Sequence, residues 1–312
     1  MPQRITSPPP DHKEPITQPD PPEPGSLLGN LRIRLPFGKR LNTIRGHLTL
    51  NFWIGAGITT IVFFTALFAP LLSPYPPREI RASDRLQPPS SAHPFGTDAL
   101  GRDLFSRVVY GARIGIAMSA LSVAISALIG VALGFTAGYY GGIVDHLLSR
   151  LMEVWLAFPS LLLAIVIVAR LGPSMRNTAL ALGFMGVTGF YRLTRGETLS
   201  SQEETYVEAA EAMGAGDIRI IFRYILPNFI SSLIVLGTLR LGTMLLAVGG
   251  LSFIGLGTQP PQPEWGALLA NGRDYLNIAP WLAIFPGACI TIAVMGINLL
   301  GDGLRDALNP PH

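Results

Sequence analysis

The chain has 312 residues, of which 49% are hydrophobic and only 14% are charged, and its formal net charge at pH 7 is +3. Soluble domains average about 25% charged residues. Three stretches, residues 48–72, 114–144 and 275–301, contain no charged side chain, and each is longer than the roughly 20 residues that a helix needs to cross a bilayer. This pattern argues against a soluble enzyme, a disordered chain and a nucleic-acid-binding protein. It predicts an all-α integral membrane protein that is embedded in the lipid bilayer.

The N-terminal segment differs from the rest of the chain. Residues 1–25 hold nine of the 27 prolines and few large apolar side chains, so residues 1–44 are predicted to form a disordered, proline-rich tail. Five basic residues precede the first apolar run; they are Arg32, Arg34, Lys39, Arg40 and Arg45. Basic residues beside a first span favour its cytoplasmic side, which predicts a cytoplasmic N-terminus.

Six membrane-spanning helices are predicted from the apolar runs. They cover residues 49–72, 113–138, 154–172, 177–195, 229–251 and 281–302. The third and fourth are short and are separated by Arg170, Gly172 and Pro173, which fit a tight hairpin turn. An even number of spans places the C-terminal residues 306–312 on the cytoplasmic side as well. Residues 45–110 are then a first helix with an extracytoplasmic segment, and residues 111–305 form the main transmembrane domain.

The sequence offers no combination of residues for catalysis or metal binding. No two of the five histidines stand at metal-ligand spacing, and Cys289 is the only cysteine. A phosphate-binding loop of the Gly-Lys-Ser/Thr type is absent, since neither Lys13 nor Lys39 occurs in that pattern. We therefore expect no catalytic residue, no metal and no cofactor bound by this chain.

The most polar internal segment, residues 192–228, is predicted to be a helical hairpin between the fourth and fifth spans. Ser200 is suited to cap its first helix, and Gly214 and Gly216 permit a sharp turn. Asp217 is suited to cap the second helix, and Pro227 is expected to close the segment. A polar hairpin between two spans on the cytoplasmic side is typical of a docking element.

The details of this hairpin resemble a known motif. Glu208, Ala209 and Ala210, then Gly214, then Leu226 and Pro227 resemble the EAA loop of ATP-binding-cassette importer permeases. The resemblance implies that residues 200–227 form a coupling loop that docks onto an ATPase subunit. Tyr224 departs from the family pattern, which has isoleucine or histidine at this position.

Three further segments, residues 93–113, 145–164 and 251–272, resemble the dipeptide, oligopeptide and nickel branch of that family, specifically its second permease subunit. The resemblance implies a type I ABC importer transmembrane domain in a bacterial inner membrane, forming half of a pathway for peptides. It also implies three kinds of partner outside this chain: a second homologous permease subunit, two ATPase subunits that bind ATP and Mg, and an extracytoplasmic substrate-binding protein. Val248 departs from the pattern, because many relatives carry an acidic residue shortly before Leu251-Ser252-Phe253.

Two intramembrane features are candidates for function. Gly130, Gly134, Gly138 and Gly142 are four residues apart and are predicted to line one stripe of the second span, where small residues allow close helix packing. The stripe could serve static packing or a sliding surface. Arg240 lies near the middle of the fifth span, where an arginine is costly unless it faces a cavity or a partner. It is the predicted pathway residue, either contacting substrate or forming a structural ion pair.

The residues leave alternatives open for the cargo and for the class of membrane protein. Within the same class, the cargo could be a nickel chelate, an opine, a glycoside or a cell-wall peptide. A secondary transporter would be expected to carry intramembrane acids for ion coupling, and the first, second, fifth and sixth predicted spans contain none. An intramembrane hydrolase would need a nucleophile beside a base, and the predicted spans contain no histidine.

Overall fold

The computed structural model describes residues 50–308. The predicted tail over residues 1–44, the first residue of the predicted first span and residues 309–312 lie outside this range. The described part of the chain is helical and contains no strand beyond one isolated bridge between Thr97 and Asp103.

The longer helices are numbered here in chain order. They are α1 (Leu50–Leu67), α2 (Leu104–Tyr140), α3 (Gly142–Leu156), α4 (Ser160–Leu171), α5 (Met175–Gln202), α6 (Thr205–Ala212), α7 (Leu226–Phe253), α8 (Trp265–Arg273) and α9 (Trp281–Leu308). Two further helices, Ala69–Leu72 and Asp217–Ile220, are four residues long. The end of the bundle that carries α6 is called the α6 end, and the opposite end is called the α8 end.

Four helical stretches are long and apolar enough to cross a membrane: α1, α2, the stretch Asp217–Phe253 that includes α7, and α9. The bent pair α3 and α4 gives a fifth if it counts as one span. The predicted fourth span lies inside α5, whose last third is polar. The predicted count of six therefore stays a prediction, whereas the all-helical membrane fold is confirmed for the described residues.

The second and third predicted spans need correction. The second span, predicted to begin at residue 113, begins at Leu104, because Asp103 caps α2 by accepting a hydrogen bond from the Ser106 amide at 2.7 Å. The third, predicted as one helix over residues 154–172, is split into α3 and α4, which meet at 86°. The split falls at Ala157–Pro159, where the proline restricts Phe158 to non-helical backbone. The predicted hairpin turn is confirmed, since α4 ends at Leu171 and α5 begins at Met175.

Helices α2 and α5 make the most extensive contact of any helix pair in the described part of the chain. A Cβ on Gly130, Gly134 or Gly138 would lie 2.6–3.0 Å from a carbonyl oxygen of α5, so these glycines bring the two backbones into direct contact. The Ser126 hydroxyl donates to the Gly183 carbonyl of α5 at 2.6 Å. Gly130, Gly134 and Gly138 thus lie on the side of α2 that contacts α5. The prediction that Gly142 belongs to this stripe is wrong. Helix α2 ends before Gly141, where the chain turns, and a Cβ on Gly142 would meet no atom of the described residues within 4 Å.

Candidate functional site

The polar hairpin at the α6 end is built from α6, a glycine turn and the helix Asp217–Ile220. Helix α6 places Val207 and Ala210 at 1% exposure, and Val207 packs with Phe135 of α2 and Phe229 of α7. Glu208, Ala209 and Glu211 lie on the exposed face. The two alanines of the motif therefore differ in role: Ala210 allows close packing onto the bundle, whereas Ala209 leaves the outer face flat.

The turn after α6 depends on one glycine. Gly214 has φ +80°, a conformation that L side chains rarely adopt. Its amide donates to the Glu211 carbonyl at 2.8 Å, and the Ala215 amide donates to the Ala210 carbonyl at 3.0 Å, which ends the helix. Gly216 is the residue before the next helix and has ordinary backbone angles.

Two predicted caps of this hairpin are wrong. Helix α5 runs on to Gln202, so Ser200 lies inside a helix and does not cap a new one. Asp217 is the first residue of its helix, with Gly216 in the cap position. The Asp217 carboxylate instead accepts hydrogen bonds from the Tyr139 and Tyr140 hydroxyls at 3.3 Å, which links the hairpin to the end of α2.

Leu226 and Pro227 start α7 and do not separate it from the hairpin. Residues Ile221–Ile225 form one π-helical turn that joins the helix Asp217–Ile220 to α7, and the Leu226 amide donates to the Ile221 carbonyl. Pro227 has no N–H to continue the regular ladder, which is a common cause of such a local widening. Leu226 is half-buried and Pro227 is exposed. The prediction that Pro227 closes the segment is therefore wrong, because the helix passes through it.

The outer surface of the hairpin combines acidic and apolar groups. Met213 is 78% exposed, Ile218 75% and Phe222 62%, and Glu208 and Glu211 of the same hairpin are also exposed. Large apolar side chains at such exposure, next to fixed charges, mark an interaction surface for another macromolecule. This surface, defined by these five residues, is called the hairpin surface below.

The second candidate site is a cavity of about 690 Å³ between α7, α5, α8, α9 and the first residues of α4. Arg240, at the midpoint of α7, is its one charged lining residue among the residues described. Most of the remaining lining is apolar. The structure thus places the predicted pathway residue on a cavity and leaves it free of any ion pair within residues 50–308.

Sequence reasoning missed Gly189 of α5. A Cβ on this residue would lie 2.7 Å from the Arg240 Nη2 atom, so the guanidinium lies directly over the glycine. Gly183, Gly186 and Gly189 are three residues apart, which indicates a small-residue face on α5, but the sequence does not identify Arg240 as the residue that packs there. Val248, where the sequence departs from its relatives, is fully buried among Met118, Leu182 and Leu251, and it is not part of the cavity lining.

Comparison with known proteins agrees with this architecture. Residues 130–311 match the family model described as binding-protein-dependent transport system inner membrane component, and residues 51–89 match the N-terminal TM domain of oligopeptide transport permease C. The chain is 47% identical over 257 residues to the dipeptide transport system permease protein DppC of Alkalihalophilus pseudofirmus, covering 82% of this chain and 84% of the relative. It is 46% identical over 268 residues to the glutathione transport system permease protein GsiD of Pectobacterium atrosepticum, covering 85% and 89%.

The fold is also found among solved structures. A chain of the MetNI methionine ABC transporter, in an inward-facing conformation, aligns with a TM-score of 0.52 at 19% identity, over 65% of this chain and 97% of that chain. At this identity the likeness concerns the fold alone, which is that of a type I ABC importer permease. With the family models and the close relatives, it shows that the chain belongs to the binding-protein-dependent transport system inner membrane components, as a multi-pass permease of the second oligopeptide-permease type.

Proposed function

We propose that this chain forms half of the transmembrane pathway of an ATP-driven importer for dipeptides or oligopeptides. The names of the relatives at 46–47% identity, which concern dipeptide and glutathione transport, support a small peptide as cargo. Nickel chelates, opines and glycosides are the alternatives within the same architecture. Binding measurements with the cognate substrate-binding protein separate them, because that protein captures the cargo before it reaches the permease.

The assembly that we propose has four further components. A second homologous permease subunit supplies the other half of the pathway, and an extracytoplasmic substrate-binding protein delivers the cargo at the α8 end. Two ATPase subunits bind ATP and Mg and dock at the α6 end. The chain itself binds no nucleotide in this scheme, and both termini lie in the cytoplasm of a bacterial inner membrane, as the basic residues before the first span favour.

The hairpin surface is the observation that carries the proposal. Beneath this surface, Val207 packs onto α2 and α7 and Ala210 is also buried, so force applied to the hairpin surface passes directly to the bundle. Its outer face presents Met213 and Ile218 at over 70% exposure. A surface with this combination is expected to be covered by a partner subunit, and docking of the ATPase explains both the apolar groups and the charge of Glu208.

Charge reversal at Glu208 tests the proposal. Glu208→Lys leaves the buried face of α6 unchanged, so the permease should fold, but it should lose the ATPase subunits on co-purification and at least tenfold of ATP-dependent uptake. Gly214→Glu should have a similar effect, although it also strains a residue at φ +80°. Asp274→Lys is the matched control, because its side chain is 70% exposed at the opposite end of the molecule.

The expected result is loss of the ATPase from Glu208→Lys and its retention by Asp274→Lys. Retention of the ATPase and full ATP-dependent uptake in both variants would contradict docking at this surface. Transport by the purified chain with no ATPase present would instead favour a secondary transporter.

A further inference from the structure

The cavity next to Arg240 has an unbalanced charge. Arg240 is the one basic side chain among its lining residues, and no carboxylate lines it within the described part of the chain. Helices α1, α2, α4 and α7 contain no acidic residue at all. A positive charge at the middle of a membrane helix is costly without a partner, so the cavity is suited to a ligand that supplies a negative charge.

The guanidinium of Arg240 is available to such a ligand. Its side chain is half-buried and makes no hydrogen bond or ion pair with residues 50–308. It lies over Gly189, where any side chain would come within 2.7 Å of Nη2. The glycine therefore makes room for the guanidinium against the wall of α5 and supplies no group that would neutralise it.

The hydroxyl groups of the cavity complete its chemical character. Thr243 and Thr291 each donate their hydroxyl proton to a carbonyl of their own helix, Leu239 at 3.2 Å and Gly287 at 3.0 Å. Each hydroxyl then has acceptor capacity left over and no proton to offer. The Ser160 hydroxyl also lines the cavity and can donate or accept a hydrogen bond. The cavity thus contains one charged donor fork and neutral hydroxyl groups, which match a carboxylate and the polar backbone of a short peptide.

We propose that Arg240 binds a carboxylate of the cargo during its passage and makes this half of the pathway favour anionic peptides over neutral or cationic ones. A guanidinium and a carboxylate form two parallel charge-assisted hydrogen bonds, and the cavity offers no acid to hold a cargo ammonium group. This inference rests on the proposed function and specifies its substrate class. It makes Arg240 a specificity-determining residue and Gly189 the residue that positions it.

The test uses the whole transporter in proteoliposomes, with saturating substrate-binding protein and three dipeptide probes. Ala-Glu, Ala-Gln and Ala-Gln-amide differ in net charge but little in size. The measured quantity is the ratio of Ala-Glu uptake to Ala-Gln-amide uptake. This ratio should be about tenfold lower in Arg240→Gln than in the native transporter, which is the size expected for one lost charge-assisted contact. Arg240→Lys, which keeps the charge but not the fork, should give an intermediate ratio. Preferences of the binding protein cancel, because it is the same in every variant.

A second variant tests the inference with the charge left in place. Gly189→Ala adds a methyl group 2.7 Å from the Arg240 Nη2 atom, so it should displace the guanidinium and lower the same ratio. Gly237→Ala on α7 is its control, since a Cβ there meets no atom within 4 Å, and it should leave the ratio unchanged.

The outcomes separate this inference from the proposed function. An unchanged uptake ratio in Arg240→Gln, or an equal loss of uptake for all three probes, would refute the proposal that Arg240 discriminates cargo by charge. Neither result would contradict ATP-driven peptide import. Absence of ATP-dependent uptake of every probe by the native transporter would refute peptide import, and with it the inference.

Discussion

Replacement of Gly134 by alanine tests the backbone contact between α2 and α5 directly. The added Cβ would lie 2.7 Å from the Thr194 Cβ, 2.8 Å from the Tyr191 carbonyl oxygen and 3.1 Å from the Arg195 amide nitrogen. Two of these atoms belong to the α5 backbone, so no rotation of a side chain relieves the overlap. An ordinary contact begins at 3.4 Å, and the helices would therefore have to separate by about 0.7 Å at this point.

The cost of that separation follows from what it loosens. It would weaken the neighbouring glycine contacts, and overpacking of a well-packed interface costs about 1–3 kcal/mol. Alanine recovers about 0.5–1 kcal/mol in a helix interior, so the central values leave a net loss of about 1 kcal/mol. For a chain of this size, such a loss lowers Tm by roughly 2–4 °C.

The assay is thermal unfolding of the purified permease in detergent, with Gly196→Ala as the matched control. Gly196 also lies within α5, but a Cβ there meets no atom within 4 Å, so this variant should be as stable as the native protein or slightly more stable. A Tm for Gly134→Ala equal to or above that of Gly196→Ala would refute the backbone-contact interpretation of the glycine stripe.

Two further predictions concern stability. Asp145→Asn breaks the two-point ion pair with Arg195, whose Nη2 lies 2.7 Å from the carboxylate. This variant should lower the free energy of unfolding by about 1 kcal/mol, measured as a lower Tm. Glu153→Gln is the control, because the ion pair of Glu153 with Arg150 is largely exposed, and its decrease in Tm should be less than half as large. Burial raises the pKa of the Glu264 carboxyl, so protonation of this group stabilises the folded protein. The stabilisation is fully present below the ordinary pKa of glutamic acid and is lost as the pH rises through the raised pKa. The fall in Tm of the native permease from acidic to neutral pH should therefore be smaller in Glu264→Gln, and equal slopes in both proteins would contradict the assignment.

Much of the fold could be predicted from sequence because the bilayer imposes long apolar helices. The runs that form α1, α2 and α9 lack charge over more than one full crossing, and the run that forms α7 contains Arg240 as its one charged residue. Pro173 with Gly172 marks the turn between α4 and α5. The spacing of Gly130, Gly134 and Gly138 also predicted a contact face, since residues four apart share one side of a helix.

Other features depend on tertiary structure and left no signal in the sequence. The apolar run over residues 154–169 contains only Pro159 to indicate a bend, and sequence gives no measure of its angle. Helix α2 extends to Leu104 because Asp103 caps it in a folded loop, whereas the arginines that follow suggested an aqueous segment. Arg240 could be identified as unusual from its position, but its neighbour Gly189 is 51 residues away in the chain and becomes visible only when α5 and α7 are packed together.

The connections of the hairpin indicate how the two sites are linked. Helix α5 leads into the hairpin and α7 leads out of it, and these same helices carry Gly189 and Arg240. Helix α5 is tied to α2 by backbone contacts at three glycines and by the Ser126 hydrogen bond. Its contacts with α7 at the cavity are made by side chains of α7, with Arg240 packed over Gly189 and Met244 packed against Gly186. A side-chain contact yields more easily than two interlocked backbones, because rotamers can change without separating the helices. We therefore expect a displacement of the hairpin to move α7 against the α2–α5 pair, and so to change the cavity at the position where Arg240 faces it.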